Sequence, residues 1–376
     1  MFQCIKNIGL VEMHSLSTML EKHYANLHAI PELSMKESRT KAYIKKYLDQ
    51  LNNLEQCYEG KWGLIYLYRG NITNAVEIGF RAELDALEIP NEQSSYYHGC
   101  GHDAHMSILL SLAAYLSESN LKKNVLLIFQ SSEEMVGGAK RISRIIEGFN
   151  INLKQLIALH VTPDLYPGIL SIRSGKVLAC GKSIEVSVKS NSGHVSKKGS
   201  NFLDVLFKIN EFNKDNSTKL NVCRITKFLT NGTHNVVPDN LKFIFSIRSA
   251  NQSLKKSTLR KFKNMMNAIS KEYSLTYSFS NPIIDYPCLY NDQQVVLNIK
   301  KIMEKNSTVA KVIECPFLFS CDDFAFYHYQ LKIPCCYFFI GSYCGSMDNL
   351  HTKDFIVPRS TLIYGLKIVI DLVNHL

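Results

Sequence analysis

The sequence predicts an α/β protein of two domains, a larger α/β domain interrupted by a smaller α+β domain. Three observations carry that expectation. Short apolar runs, each closed by an acid or a histidine, alternate with helical patterns in the first half of the 376-residue chain and resume near its end. From about residue 180 the texture switches to strands that alternate polar and apolar residues, the mark of a sheet with one wet face. The length, with 46% hydrophobic and 20% charged residues, is enough to bury more than one core. The expected boundaries are 1–179 and 289–376 for the two parts of the larger domain and 180–288 for the insertion.

Composition narrows the partners. The net charge of +10 (43 Lys and Arg against 33 Asp and Glu) is spread thinly. It forms no dense basic block and no aromatic-interleaved basic motif, so nucleic acid is not an expected partner. Eleven irregularly spaced cysteines do not resemble a disulfide framework. They fit a reducing compartment, and a cytoplasmic location is the expectation. No charged-then-apolar leader opens the chain, and no apolar run approaches the ~20 residues that span a bilayer, so no membrane partner is expected.

Taken in order, residues 14–27 carry apolar residues at helical spacing, and Pro31 breaks the pattern. His28 reads as a structural histidine at the helix end. Ser34 and Glu37 resemble a capping box for a second helix, whose buried face is Tyr43, Ile44, Tyr47, Leu48 and Leu51. Strands are expected at 63–68 and 75–80, the second running into Arg81, Glu83 and Asp85. Acids at the carboxyl end of a buried strand suit the crevice where open α/β sheets place their ligands. The stretch His98-Gly99-Cys100-Gly101-His102-Asp103-Ala104-His105 then enters a helix over 104–117. A helix N-terminus favours a thiolate, and a cation favours it more strongly. A strand at 124–130 ends in Glu133-Glu134 and a glycine pair before a helix at 139–146. Another at 155–159 ends on His160. Three buried strands thus end in chemical groups along one rim of one sheet.

In the insertion, a strand at 181–189, a helix at 201–212, strands at 221–230 and 236–248, a helix at 254–270 and a strand at 274–279 follow one another. That order suggests a small ferredoxin-like antiparallel sheet with two helices on one face. The insertion carries His194 after Ser192-Gly193, Asn235 in a turn, and Arg248. The larger domain resumes with a helix at 292–304, a strand at 335–340, His351 on a loop, and a helix at 361–375.

A hydrolytic metal site needs N, O or S ligands, room for water, and a base within reach of that water. The chain offers Cys100, His102, Glu134, His160 and His351. So large a mixture suits two metals sharing a bridge better than one. Adjacent residues in an irregular turn point in different directions, so Glu134 can bind metal while Glu133 faces the water. Asp85 is expected to hydrogen-bond a ligand imidazole and fix its tautomer. Singly, each residue has a plainer reading: a core cysteine, a solvated glutamate pair, a surface histidine. Their conjunction at strand ends reverses it.

These motifs, taken with residues 81–87, 129–139, 159–161, 235–238 and 323–325, resemble the M20 metallopeptidase family in its amidohydrolase subgroup. The resemblance runs from His28 to Leu350-His351-Thr352. That subgroup includes N-acyl-amino-acid hydrolases, hippurate-hydrolase-like enzymes, plant auxin-conjugate hydrolases and N-acetyldiaminopimelate deacetylases. The resemblance implies a di-metal-peptidase-like catalytic domain with an inserted lid and dimerisation domain. It implies removal of an N-acyl group, foremost N-acetyl, from a small amino-acid substrate such as N-acetyldiaminopimelate. By the same resemblance Cys100, His102, Glu134, His160 and His351 hold two divalent ions (Mn2+, Zn2+ or Co2+), with Cys100 as the bridge. Glu133 is then general base and acid, and Asp85 the supporting acid. His194 stabilises the oxyanion, Asn235 and Arg248 bind the substrate carboxylate, and the lid pairs two subunits into a homodimer. The alternatives are a di- or aminopeptidase of the same superfamily and a metal-binding protein that has lost catalysis. Glu83 replaces the usual Asp, Gly99 the usual Ala, and Ser320-Cys321-Asp322-Asp323 a Gly-x-Glu-Asp run, while the 90–98 linker is short. These departures bear on specificity.

Overall fold

The computed structural model describes residues 10–71, 73, 75–89, 95–135, 137–191, 193, 194, 196, 202–345 and 350–376. Apolar runs dense enough to be covered on both faces build its principal sheet. The strands are β1 (Leu54–Gly60), β2 (Gly63–Tyr68), β3 (Ile78–Glu83), β4 (Val125–Gln130), β5 (Leu156–Thr162), β6 (Ile169–Ile172), β7 (Lys311–Glu314) and β8 (Cys335–Gly341). Their order across the sheet is β1-β2-β4-β3-β5-β8-β6-β7. The central four, β4, β3, β5 and β8, are mutually parallel. Antiparallel pairings flank them, β2 beside β4 on one side and β6 beside β8 on the other. Every residue of β2, β3, β4, β5 and β8 is buried, which is why these strands lack an alternating pattern.

The helix His102–Glu118 is buried along almost its whole length. It shares one apolar cluster with the sheet and with the helices Leu10–His28 and Arg359–His375, through Leu109, Leu112, Leu116, Leu20, Leu366 and Val369. The chain enters it through Gly101 at φ 82°, where a Cβ would sit 2.4 Å from Val161 Cγ2. Only glycine fits a left-handed backbone pressed so closely against β5.

Three local differences from expectation matter for the site. The expected strand 75–80 is two elements: Ala75–Val76 pairs with Asn152–Leu153, and β3 begins at Ile78, so Arg81 and Glu83 lie inside the strand. β5 continues to Thr162, so His160 is a strand residue rather than the residue after one. The third is the capping box. Glu37 occupies the N-cap of the helix Ser38–Leu48 but makes no side-chain cap bond. Its cap is Glu32, whose carboxylate accepts from Arg39 N at 3.2 Å, Thr40 N at 2.9 Å and Thr40 Oγ1 at 3.0 Å. Ser34 and Glu37 send their side chains elsewhere.

The chain divides into two compact units. The larger comprises residues up to Val177, Tyr290–Pro316 and Phe326–Leu376; the smaller comprises Leu178–Leu289 and Phe317–Ala325. The smaller unit therefore takes in a segment beyond the expected 180–288. Its strands run in the order Asn221–Thr230, Asn240–Ser249, Cys180–Lys189, Thr276–Phe279, all antiparallel. With the helices Phe202–Asn216 and Gln252–Glu272 this is the ferredoxin-like arrangement. Both helices contribute to one apolar cluster, in which Phe262 stacks on Phe245 at 3.7 Å. Asn251 caps the second helix by accepting from Leu254 N at 2.8 Å. Among the described residues no helix is long and apolar enough to cross a membrane.

Candidate metal centre

Because β3, β4 and β5 are parallel, the turns that follow them meet at one rim. Asp85, two residues beyond β3, is fully buried. Its carboxylate accepts three hydrogen bonds, from Glu133 N at 3.1 Å, Glu134 N at 2.9 Å and Ser34 Oγ at 2.5 Å. The imidazole it was expected to orient is instead held by its main chain. His102 Nδ1 lies 2.7 Å from Asp85 O and 3.8 Å from the carboxylate. A carbonyl only accepts, so His102 carries its proton on Nδ1 and keeps Nε2 as a ligating atom. His160 is fixed the same way, its Nδ1–H donating to Val161 O at 2.6 Å, and its Nε2 lies 3.4 Å from Cys100 Sγ. Burial, with His105 beside it, pushes the His160 imidazole down to about 3, so the ring is neutral.

His105 lies between these rings without joining them. Its Nε2 accepts from Val161 N at 3.1 Å, so its Nδ1–H donates to Glu83 Oε2 at 2.8 Å. Arg81 pairs with the other oxygen of Glu83 and donates to Gln130 Oε1 at 3.0 Å. Burial alone would raise the Glu83 carboxyl, but Arg81 and His105 hold it well below the usual carboxylate range. Glu83, His102 and His105 are close enough to chelate an ion, yet both nitrogens of His105 are already engaged. Asp103 is likewise committed, accepting from His28 Nδ1 at 2.6 Å and tying the helix Leu10–His28 to the start of His102–Glu118. Burial lowers the His98 imidazole to about 4, and its ring nitrogens have no hydrogen-bond partner among the described residues.

Within the larger unit, three further groups of described residues place their ligand atoms within 4.8 Å of one another: Cys100 with His102 and His160, Cys100 with Glu134 and His351, and His102 with Glu133 and Glu134. Cys100 is common to the first two. The donor set fits a divalent cation on independent grounds. Glu134 Oε1 is buried with no hydrogen-bond partner, and His351 Nε2 is 3.8 Å away. Burial, reinforced by Glu134 and Glu133, pushes the Cys100 thiol far above its usual value. Burial also raises the Glu134 carboxyl, against the pull of His102 and His351. Acids gathered in a dry pocket resist ionising together, and a cation among them removes that resistance. The His351 side chain is 55% exposed, but its main chain is anchored. Its N–H donates to Gly99 O at 2.7 Å, and its carbonyl accepts from Tyr97 OH at 2.7 Å. A Cβ on Gly99 would come within 2.2 Å of the Tyr97 ring, which accounts for glycine there.

The larger unit thus brings together Asp85, Cys100, His102, Glu133, Glu134, His160 and His351. The other candidates belong to the smaller unit. The main chain of His194 pairs with Val236, and its side chain lies outside the described residues. Asn235 is exposed and accepts from Thr233 Oγ1 at 3.4 Å. Arg248 is half-buried and donates to Ile247 O at 3.1 Å and Ser183 Oγ at 3.5 Å. Most of the short 90–98 linker also lies outside the described residues. Two polar residues beside the site went unrecognised in the sequence, Ser34 and Glu37, because their spacing matches a helix cap.

Fold and donor set together define a two-unit α/β protein with a candidate metal centre. The chain belongs to peptidase family M20/M25/M40, whose family model matches residues 79–375. It is 30% identical over 380 residues to an uncharacterized hydrolase of Staphylococcus aureus (strain USA300), covering 94% of this chain and 97% of that one. A second hydrolase, from Staphylococcus haemolyticus (strain JCSC1435), is 28% identical over 383 residues with the same coverage, 94% and 97%. Among solved structures, a dinuclear metal binding peptidase of the M20 family from Bacillus subtilis has a TM-score of 0.74 at 21% identity, covering 96% of this chain and 98% of its own. Aminobenzoyl-glutamate utilization protein from Klebsiella pneumoniae has a TM-score of 0.75 at 14% identity, covering 96% and 97%. These two likenesses are of fold.

Proposed function

We propose that the protein is a metal-dependent amidohydrolase that removes an N-acyl group, foremost N-acetyl, from an amino acid or amino-acid derivative, N-acetyldiaminopimelate among them. One observation carries the reading. The Glu133-Glu134 turn hangs by two main-chain amides from buried Asp85, beside a thiol and two imidazoles whose Nδ1 atoms are held by main-chain carbonyls. In this reading Cys100, His102, Glu134, His160 and His351 would hold two divalent ions. The thiolate and imidazoles favour zinc, the carboxylate suits manganese, and cobalt accepts both. When bound, the ions supply Lewis acidity to water and to the scissile carbonyl.

The chain's own residues do the rest. Glu133 takes a proton from the attacking water and returns it to the departing amine. Asp85 fixes the turn that aims Glu133. His194 donates to the oxyanion, and Asn235 and Arg248 bind the substrate carboxylate. The products are a carboxylic acid and a free amino acid. A homodimer through the smaller unit belongs to the same reading; exposed Phe207, Phe228 and Leu229 on that unit support it. A cytoplasmic location belongs to it too, a reducing setting that suits cysteines not joined in disulfides.

The test is a screen of N-acetylated amino acids, including N-acetyldiaminopimelate, against dipeptides, on protein reconstituted with Mn2+, Zn2+ or Co2+. Release of the free amine from acetylated substrates is expected. Turnover of dipeptides without deacetylation would make the protein a di- or aminopeptidase. Turnover of neither, with metal bound, would make it a metal-binding protein without catalysis.

A further inference from the structure

Three consecutive main-chain N–H groups, those of Ser132, Glu133 and Glu134, end on buried carboxylates. Asp85 accepts the second and third. The first goes to Glu37, whose Oε1 lies 3.0 Å from Ser132 N although the two residues are 95 apart in sequence. Glu37 is fully buried, as is Ser132. Ser34, from the same N-terminal segment, donates to Asp85 at 2.5 Å, so one short stretch serves both carboxylates.

Ser132 is the pivot of the turn. It has φ 64°, a left-handed backbone uncommon outside glycine. Its carbonyl accepts from Gly137 N at 3.0 Å and Gly138 N at 2.9 Å. Gly138 cannot carry a side chain, because a Cβ would lie 1.9 Å from Ser131 O. The carbonyl side of Ser132 is thus closed by the glycine pair and the amide side by Glu37. Whichever way Ser132 turns, Glu133 and Glu134 turn with it. Without the Glu37 acceptor, the left-handed conformation would lose one of its restraints.

We infer that Glu37 is a positioning residue for the metal-dependent reaction, its carboxylate holding the Ser132 N–H so that Glu133 and Glu134 meet the donor set in their working directions. This rests on the reading of Glu134 as metal ligand and Glu133 as base. A helix-capping role is excluded by the absence of any side-chain cap bond from Glu37. A role confined to stability would leave metal affinity unchanged, and that distinguishes the two.

The experiment uses the full-length protein stripped of metal and titrated calorimetrically with Zn2+ and Mn2+. The cobalt–thiolate absorption of Co2+-loaded protein gives a second readout. Glu37→Met keeps the volume and removes the acceptor. It should weaken binding of the ion held by Glu134 by about 10–100-fold, the usual effect of losing a group that orients a ligand. It should also lower kcat more than it raises KM. Glu37→Gln retains an oxygen acceptor and should recover most of the lost affinity. Should Glu37→Met not fold, Glu37→Asp, which withdraws the oxygen by one methylene, carries the same expectation. A Met or Asp variant that binds both ions as the wild type does, even with a lower melting temperature, would overturn the inference. So would a Gln variant as weak as the Met variant. Glu134→Ala is the control: if it keeps both ions at wild-type affinity, the underlying assignment of Glu134 fails instead.

Discussion

Replacing Asp85 by Asn separates what this carboxylate does from what its main chain does. The carboxylate accepts from Glu133 N through Oδ1, and from Glu134 N and Ser34 Oγ through Oδ2. An amide has one oxygen. Placed at the Oδ2 position it keeps two of these bonds and turns its NH2 toward the N–H of Glu133. Placed the other way it keeps one. At best, then, one buried N–H loses its acceptor and meets a donor, which costs about 1–3 kcal/mol. Asp85→Ala removes both acceptor oxygens and with them all three bonds, and should cost about 3 kcal/mol or more on the same scale. Neither change touches the bond from His102 to the Asp85 carbonyl, so His102 should keep its tautomer and its metal. The expected result is lower stability and lower turnover with His102 still ligating. Urea unfolding of the metal-free variants measures the first, and turnover at saturating metal the second. A stability change of Asp85→Asn within about 0.5 kcal/mol, the size of an ordinary surface substitution, would refute this account of the turn.

Glu133→Gln should bind metal normally and lose about 10²–10⁴-fold in turnover, the contribution of a positioned acid–base group; unchanged turnover in a metal-loaded variant would remove Glu133 from the chemistry. Glu83→Asp should weaken metal binding, because the shorter acid cannot hold Arg81 and His105 together and His105 braces the main chain next to His160. Calorimetric titration checks this, with a loss of roughly tenfold or more expected. His23 predicts an acid limb in the stability profile. Burial, with Lys22 nearby, lowers its imidazole from 6.5 to about 4. The unfolded chain therefore binds this proton more readily than the folded one. The stabilisation is complete above pH 6.5 and drains away as pH falls toward 4, on the order of 3 kcal/mol at most. His23→Phe should flatten urea midpoints across that window; an unchanged slope would contradict the assignment.

The elements most legible in the sequence were those whose burial is symmetric. β4 and β8 are unbroken apolar runs because both faces are covered, and the run itself marks them. The helix His102–Glu118 was legible for the same reason, although it starts two residues before the expected 104. In the smaller unit, Ile184, Val186 and Val188 are buried while Glu185 and Ser187 are partly exposed, the alternation that a one-faced sheet imposes. The grouping of Asp85, Glu133-Glu134 and His160 along one rim followed from strand order alone, since parallel strands carry their ends to the same side.

Less legible was everything that depends on a partner distant in sequence. Ser34 and Glu37 have the spacing of a cap, but nothing local reveals that Glu32 already does that work or that Glu37 reaches Ser132. Asp85 was expected to orient an imidazole through its carboxylate. Its carbonyl does so, and a sequence does not say which oxygen of a residue faces which neighbour. The break of the expected strand 75–80 came from pairing between Ala75–Val76 and Asn152–Leu153, again a long-range choice.

The central claim, that the donor set around Cys100 would hold two divalent ions, is tested most directly by counting ions. Metal-stripped protein reloaded with Zn2+ and analysed by inductively coupled plasma mass spectrometry should carry two ions per chain, as two-metal hydrolytic sites do. Cys100→Ala, which removes the atom common to the Cys100-His102-His160 and Cys100-Glu134-His351 groups, should carry at most one. Two tightly held ions in Cys100→Ala, or none in the wild type, would contradict the account.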